Sequence, residues 1–180
     1  AVKPQLFAAA AAPCARWVAG ALHLSVMAGI RSSTIAAALG LAADCARTVR
    51  SMPNTPALIG RGIAGLFATA AVTAAERQQV EQVLAPTGQT LWLAHEADLD
   101  AVTALSGSGP AYVFFFLEAM TEAGVGMGLS AKQAYQLAVA TFAGASSLAA
   151  ASSEPPEVLR QRVTSKGGTT AAALAEFTAQ

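Results

Sequence analysis

Charge, cysteine and histidine are all scarce in this chain. Only 12% of its 180 residues are charged, and 11 lysines and arginines balance 11 aspartates and glutamates, leaving no net charge. No basic run is visible, so a polyanionic partner such as nucleic acid is not indicated. The two cysteines, Cys14 and Cys45, form no framework of spacings, and the expectation is that both are packing residues in a reduced, cytoplasmic setting. His23 and His95 lie far apart without a carboxylate pattern, which gives metal ligation or a nucleophilic triad little support. Uninterrupted apolar length is missing too. Residues 5–30 come nearest to a membrane span, but Pro13 and Arg16 sit inside them, and an arginine at a bilayer centre costs about 2.5–3.5 kcal/mol. No membrane partner is expected, and no signal-peptide pattern opens the sequence.

What is present is hydrophobic and small: 54% of the residues are apolar, with alanine dominating. A surface this poor in charge points to coverage by another subunit.

Along the chain, Ala1 and Val2 read as the end of a strand, with Lys3-Pro4-Gln5 as the turn leaving it. The spacing from Leu6 to Ala19 predicts a helix broken or bent near Pro13. Leu24 to Ala28 suits a covered strand, and Ser32 or Ser33 can cap a helix that Gly40 ends. Strands are expected at Thr48 to Arg50, Ile63 to Ala68 and Thr90 to Leu93. Between the last two, Thr73-Ala74-Ala75-Glu76 is a capping box opening a helix. Alternating strands and helices imply an open, mostly parallel sheet. From about Glu96 onward the periods are helical only. The expected fold class is therefore α/β followed by all-α, with residues 1–95 as one domain and 96–180 as a helical one.

In the helical part, Ala111 to Ala123 is apolar nearly all round and should be covered on every side. Some eighty residues of helix cannot easily surround it alone, which argues for an intertwined homodimer. Ser130 with Gln133 caps the next helix, whose apolar face carries Ala134, Leu137, Ala138, Phe142, Ala145 and Leu148. Ser153, Glu154, Pro155 and Pro156 open another helix, running to about Val163, and Thr169 or Thr170 opens the last.

Three glycine-bearing stretches stand out. Gly60, Gly62 and Gly65 spell G-x-G-x-x-G, but they run into a strand-like segment instead of opening a helix, so they read as a turn and not as a dinucleotide fingerprint. Ser106-Gly107-Ser108-Gly109-Pro110 has two readings: backbone brought close to a ligand, or an inter-helix turn with Pro110 at the first helical position. In V-T-S-K-G-G-T-T, Val163 to Thr170, paired glycines and four hydroxyls precede a helix N-terminus. That is a seat for a small anion, or simply a Gly-Gly turn with a threonine cap. Lys3, just past a strand end, is placed for a cofactor phosphate or ribose, or for solvent.

Taken together, A-V-K-P-Q (Ala1 to Gln5), R-S-M-P-N-T-P (Arg50 to Pro56), A-L-S-G-S-G-P-A-Y (Ala104 to Tyr112) and V-T-S-K-G-G-T-T resemble, in order, the pyrroline-5-carboxylate reductases. The resemblance implies a Rossmann-type domain binding NADPH or NADH, then a helical domain that dimerises with a second copy, within a possible larger oligomer of dimers. It implies hydride transfer to the imine carbon of 1-pyrroline-5-carboxylate, giving L-proline. Carried over by position, Val2, Lys3 and Pro4 become a cofactor-side loop, and Asn54 and Thr55 line the nicotinamide. Val163, Ser165, Gly167, Gly168 and Thr170 become the substrate loop, with the Thr170 hydroxyl facing the ring nitrogen as the catalytic contact. Against that family, the first half of the Rossmann domain and the extreme C-terminus are expected to be lacking here, and Lys166 stands where proline is usual. The reading from a different class is a non-catalytic helical dimerisation module whose Gly-Gly loop is structural.

Overall fold

Four strands form one sheet in the order β1 (His23–Ser25), β2 (Thr48–Met52), β3 (Gly62–Ala68), β4 (Gly88–Trp92). The pairings β1–β2 and β3–β4 are parallel, and β2–β3 is antiparallel. The computed structural model describes residues 4–18 and 20–179. The strand expected at Ala1 and Val2 lies outside them, as does Lys3.

Strand alternation sets the two faces of the sheet. Ala64, Leu66 and Ala68 face one way and join Val49, Val72, Val80 and Leu84 in the main core. Val80 and Leu84 come from helix α3 (Ala74–Leu84). Its start is fixed by the anticipated capping box, Thr73 Oγ1 accepting from the Glu76 N–H while Glu76 accepts from the Thr73 N–H. On the other face Gly65 meets Val102 of α4 (Asp98–Val102), whose methyl would lie 2.8 Å from a Cβ at position 65. A second cluster gathers Ala11, Ile35 and Leu39, drawn from α1 (Phe7–Ala11) and the end of α2 (Ser32–Ala38).

The chain turns back into β3 and β4 through glycines that nothing else can replace. Gly88 has φ 130°, and a Cβ there would collide with the Gly62 carbonyl oxygen. Gly88→Ala should therefore cost about 2–4 kcal/mol, combining the strain of a positive φ with overpacking. Thermal unfolding checks it, and an unchanged midpoint would contradict it.

The helix expected to be broken or bent near Pro13 breaks there: a short α1 is followed by a 3-10 turn over Ala12–Trp17, with Pro13 at its start. Several other local expectations are corrected. Arg31, not a serine, is the N-cap residue of α2, because a carboxylate from elsewhere in the chain occupies that helix end. Both cysteines are exposed, since each lies in a surface turn, and neither is a core residue. The 104–110 stretch is helical: Thr103–Gly107 forms a π-helical turn between α4 and α5 (Gly109–Gly126). Gly107 leaves room for the Met52 methyl, which would lie 2.8 Å from a Cβ at this position.

The chain divides into two compact units, Ala1–Phe114 and Phe115–Gln180. The second contains the rest of α5, then α6 (Ala131–Ala151), α7 (Pro156–Arg162) and α8 (Thr169–Thr178). α5 and α6 approach closely because the contact uses small residues, with Gly124 against Ala134, and Phe116 stacks at 6.1 Å from Phe142. Ser130 and Gln133 form the anticipated capping box. Of the expected α6 face, Ala134 and Ala138 are buried, whereas Leu137 and Leu148 are exposed. α5 is not covered within one chain: Tyr112, Phe114 and Phe115 expose 54%, 62% and 67% of their surface. Among the described residues no helix is long and apolar enough to cross a membrane.

Candidate functional site

The loop between α7 and α8 is a tight turn feeding a helix N-terminus. The Gly168 N–H donates to the Ser165 carbonyl (3.1 Å) across Lys166 and Gly167, and Gly167 holds φ 74°. A negative φ at Lys166 followed by a positive one at glycine is the type II arrangement, which needs glycine at its second central position. Gly168 is the N-cap of α8, in place of the expected threonine. Its backbone is extended, which any residue adopts, but a Cβ on Gly168 would stand 2.5 Å from Ser165 Oγ and 3.3 Å from the Ser165 carbonyl oxygen.

This geometry decides which groups are free. The Gly168 amide is consumed by the turn. The amides of Thr169, Thr170 and Ala171 begin the helix and have no partner within it. Thr164 donates its hydroxyl to the Arg160 carbonyl (2.6 Å), while those of Ser165, Thr169 and Thr170 make no hydrogen bond among the described residues. Arg162 is engaged with Glu154 at 2.6 Å. Free amides at the positive end of a helix, flanked by hydroxyls, suit a small carboxylate. The exposed Val163 provides apolar surface beside the turn.

Lys166 occupies the first central position of that turn, where proline is favoured, and its N–H makes no backbone hydrogen bond. Lys166→Pro should therefore stabilise the protein by about 0.4–1 kcal/mol, a rise of about 1–4 °C in the unfolding midpoint. A lower midpoint in calorimetry would contradict the turn assignment.

The other sequence-derived positions fall in the first unit. Asn54 and Thr55 follow the carboxyl end of β2, next to that of its parallel neighbour β1, the edge at which open sheets take ligands. Asn54 Oδ1 accepts from the Ile63 N–H (3.0 Å), which leaves the side-chain amide group free to donate. Pro4 opens a 3-10 turn, Pro4–Leu6, while Val2 and Lys3 lie outside the described residues. Asn54 and Thr55 thus belong to one compact unit, and the residues from Val163 to Thr170 to the other. The G-x-G-x-x-G stretch behaves as a turn and strand. Gly60 ends the 3-10 turn Thr55–Ile59 at φ 68°, and Gly62 and Gly65 lie in β3.

One polar cluster was not anticipated from the sequence. Glu96, just before α4, accepts from the Ser32 N–H (2.6 Å) and hydroxyl (3.0 Å) and from Arg50 Nη1 (3.1 Å). Arg50 is only 6% exposed, and its Nε–H has no partner among the described residues. Burial pushes the Glu96 carboxyl upward, but the Ser32 and Arg50 hydrogen bonds outweigh it and hold the group below the ordinary glutamate range. The stability it adds is present above that range and lost as pH falls through the lowered value. A cleft of about 270 Å³ lined by Gly29, Arg31, Arg50, Glu96, Ala97 and Asp100 opens beside it. The signal was present in T-V-R-S-M, because a charge inside an otherwise covered strand requires a partner. Among the described residues no group of three or more His, Cys, Asp or Glu side chains could hold a metal ion.

Comparison with known proteins places this geometry. Residues 96–180 match the family model for pyrroline-5-carboxylate reductase dimerisation. The chain is 48% identical over 158 residues to a pyrroline-5-carboxylate reductase of Pseudomonas aeruginosa, covering 88% of this chain and 57% of that protein. To the Haemophilus influenzae protein of the same name it is 42% identical over 185 residues, covering 100% of this chain and 66% of the relative. Among solved structures, a pyrroline-5-carboxylate reductase from Coxiella burnetii superposes with TM-score 0.90 at 34% identity, over 99% of this chain and 66% of that one. The Plasmodium falciparum pyrroline carboxylate reductase, solved with NADP bound, superposes with TM-score 0.89 at 30% identity, over 98% and 69%.

Proposed function

This chain belongs to the pyrroline-5-carboxylate reductase family, and from that premise we propose that the protein reduces 1-pyrroline-5-carboxylate to L-proline with a hydride from NADPH or NADH. The chain spans 57% and 66% of the length of the two relatives described. The test therefore uses the full-length gene product.

The observation that carries the assignment of residues is the α8 N-terminus, where the Thr169, Thr170 and Ala171 amides have no partner within the helix and Ser165 and Thr170 flank the turn. In this reading the amides of Thr169 to Ala171 and the Ser165 hydroxyl hold the substrate carboxylate. Gly167 and Gly168 let the backbone approach, and Val163 packs against the ring. The Thr170 hydroxyl accepts the ring N–H of the protonated imine and fixes which face of its carbon is presented. Asn54 and Thr55 suit the nicotinamide end of the dinucleotide, having a free amide donor and a hydroxyl at the ligand-binding edge of the sheet. Val2, Lys3 and Pro4 are assigned to the same cofactor by resemblance. When bound, the nicotinamide supplies the hydride. An iminium is already electrophilic, so the chain's residues need only bind, orient and exclude water.

The exposed aromatic face of α5 supports a homodimer of helical domains, taken as residues 96–180 with 1–95 as the dinucleotide-binding domain, and a possible oligomer of dimers. The protein is assigned to the cytoplasm. Oxidation of reduced nicotinamide on adding pyrroline-5-carboxylate, and its formation from L-proline at alkaline pH, test the activity. A folded full-length protein with neither would leave the non-catalytic dimerisation module as the standing reading.

A further inference from the structure

Glu96 joins three parts of the first unit at one carboxylate: the N-terminus of α2 through Ser32, the middle of β2 through Arg50, and the entry to α4 through its own backbone. The loop from Val26 to Arg31 runs between β1 and α2, so it leaves the carboxyl end of β1. That end is adjacent to the carboxyl end of β2, from which the chain continues to Asn54. α2 has no side-chain cap of its own, and the Glu96 carboxylate occupies that place from 64 residues away. Its other connection, Arg50, is anchored in the sheet with a guanidinium that solvent barely reaches.

We propose that Glu96, held against the buried Arg50, is a positioning residue that fixes the Val26–Arg31 loop at the ligand-binding edge of the sheet for hydride transfer. This rests on the reductase reading above. The mechanism is mechanical. Gln at position 96 fills the same volume but removes the charge that pairs Arg50. Its amide oxygen can stand for only one carboxylate oxygen, Oε1, which accepts from the Ser32 N–H and Arg50 Nη1, or Oε2, which accepts from the Ser32 hydroxyl. The hold on the α2 N-terminus is then weakened, and the loop preceding it loses its registration with β2. Displacement of about 1 Å at such a site costs about 100-fold in rate even when the chemistry itself is untouched. Arg31 and Asp100 also line the cleft beside Glu96, and their charges are unaltered by the substitution.

Glu96→Gln in the full-length protein tests this with three readouts. Hydrogen–deuterium exchange without cofactor should speed up in residues 26–33 and leave α3 unaffected. At saturating cofactor, kcat should fall at least about tenfold with the cofactor dissociation constant within about threefold. The isotope effect on kcat from cofactor deuterated at the transferred position should rise, because hydride transfer becomes slower relative to product release. Ser32→Ala, which keeps the charge pair and removes one bond, should move all three in the same direction by less, and it serves as the test if Glu96→Gln does not fold. A folded variant with kcat within twofold of wild type, or with lowered kcat but unchanged exchange and isotope effect, overturns the proposal. If the wild-type protein itself does not turn over pyrroline-5-carboxylate, the reductase reading fails instead.

Discussion

Thr170→Ala in the full-length enzyme should lower kcat for pyrroline-5-carboxylate by about 100-fold, while the dissociation constant for the reduced cofactor stays within about threefold. Thr170 is the second residue of α8, and its hydroxyl has no hydrogen bond to lose among the described residues. Alanine is the better helix former, so the helix and the turn before it should persist. The loss is confined to one contact with the ring nitrogen, made at the atom that changes from iminium to amine. A contact that orients the reacting carbon is expressed mainly in kcat, whereas the carboxylate contacts of the neighbouring amides act mainly on KM. Thr170→Ser keeps the hydroxyl and should retain most of the rate. Steady-state kinetics on both variants, with cofactor titration by fluorescence, checks the split. An alanine variant turning over at the wild-type rate would contradict the role proposed for Thr170.

The second large effect concerns α5. Phe115→Glu should convert the proposed dimer to monomer and abolish turnover. Phe115 is 67% exposed in one chain, beside the exposed Phe114 and Tyr112, and only the small residue Gly124 is buried along the whole of α5. A helix this apolar needs cover, and a second copy of the same surface supplies it in a two-fold interface. In that arrangement each substitution enters twice. The effective penalty for burying a carboxylate is several kcal/mol per ion, so two of them outweigh what an interface of ordinary affinity can supply. Analytical ultracentrifugation should show the shift to monomer, with circular dichroism retaining the helical signal. A variant sedimenting as a stable dimer would contradict the assignment of this face.

Much of the fold was legible where local chemistry and tertiary packing agree. The capping boxes at Thr73 and Ser130 announce α3 and α6 because their reciprocal bonds are short-range and need no partner elsewhere. The strand expected at Ile63 to Ala68 is β3 to within one residue. What failed was decided at a distance. Nothing near Ser32 indicates that the cap of α2 comes from Glu96, and the pairing becomes visible only when β2 places Arg50 beside both. The π-helical turn at Thr103–Gly107 was also hidden, since S-G-S-G-P favours a break. The cysteines were misplaced because the general burial of free thiols says nothing about a given turn. For the candidate site, the glycines and hydroxyls of Val163 to Thr170 could be read in advance. Which amides stay free could not, because it depends on the turn that takes up the Gly168 N–H.

The most direct measurement is a crystal structure of the full-length enzyme with an unreactive cyclic imino-acid analogue and oxidised cofactor. The analogue carboxylate should lie within hydrogen-bonding distance of the Thr169, Thr170 and Ala171 amides and of Ser165 Oγ, with its ring nitrogen against the Thr170 hydroxyl. An analogue bound at another site, with the turn at Ser165 to Gly168 touching no ligand, would contradict the assignment.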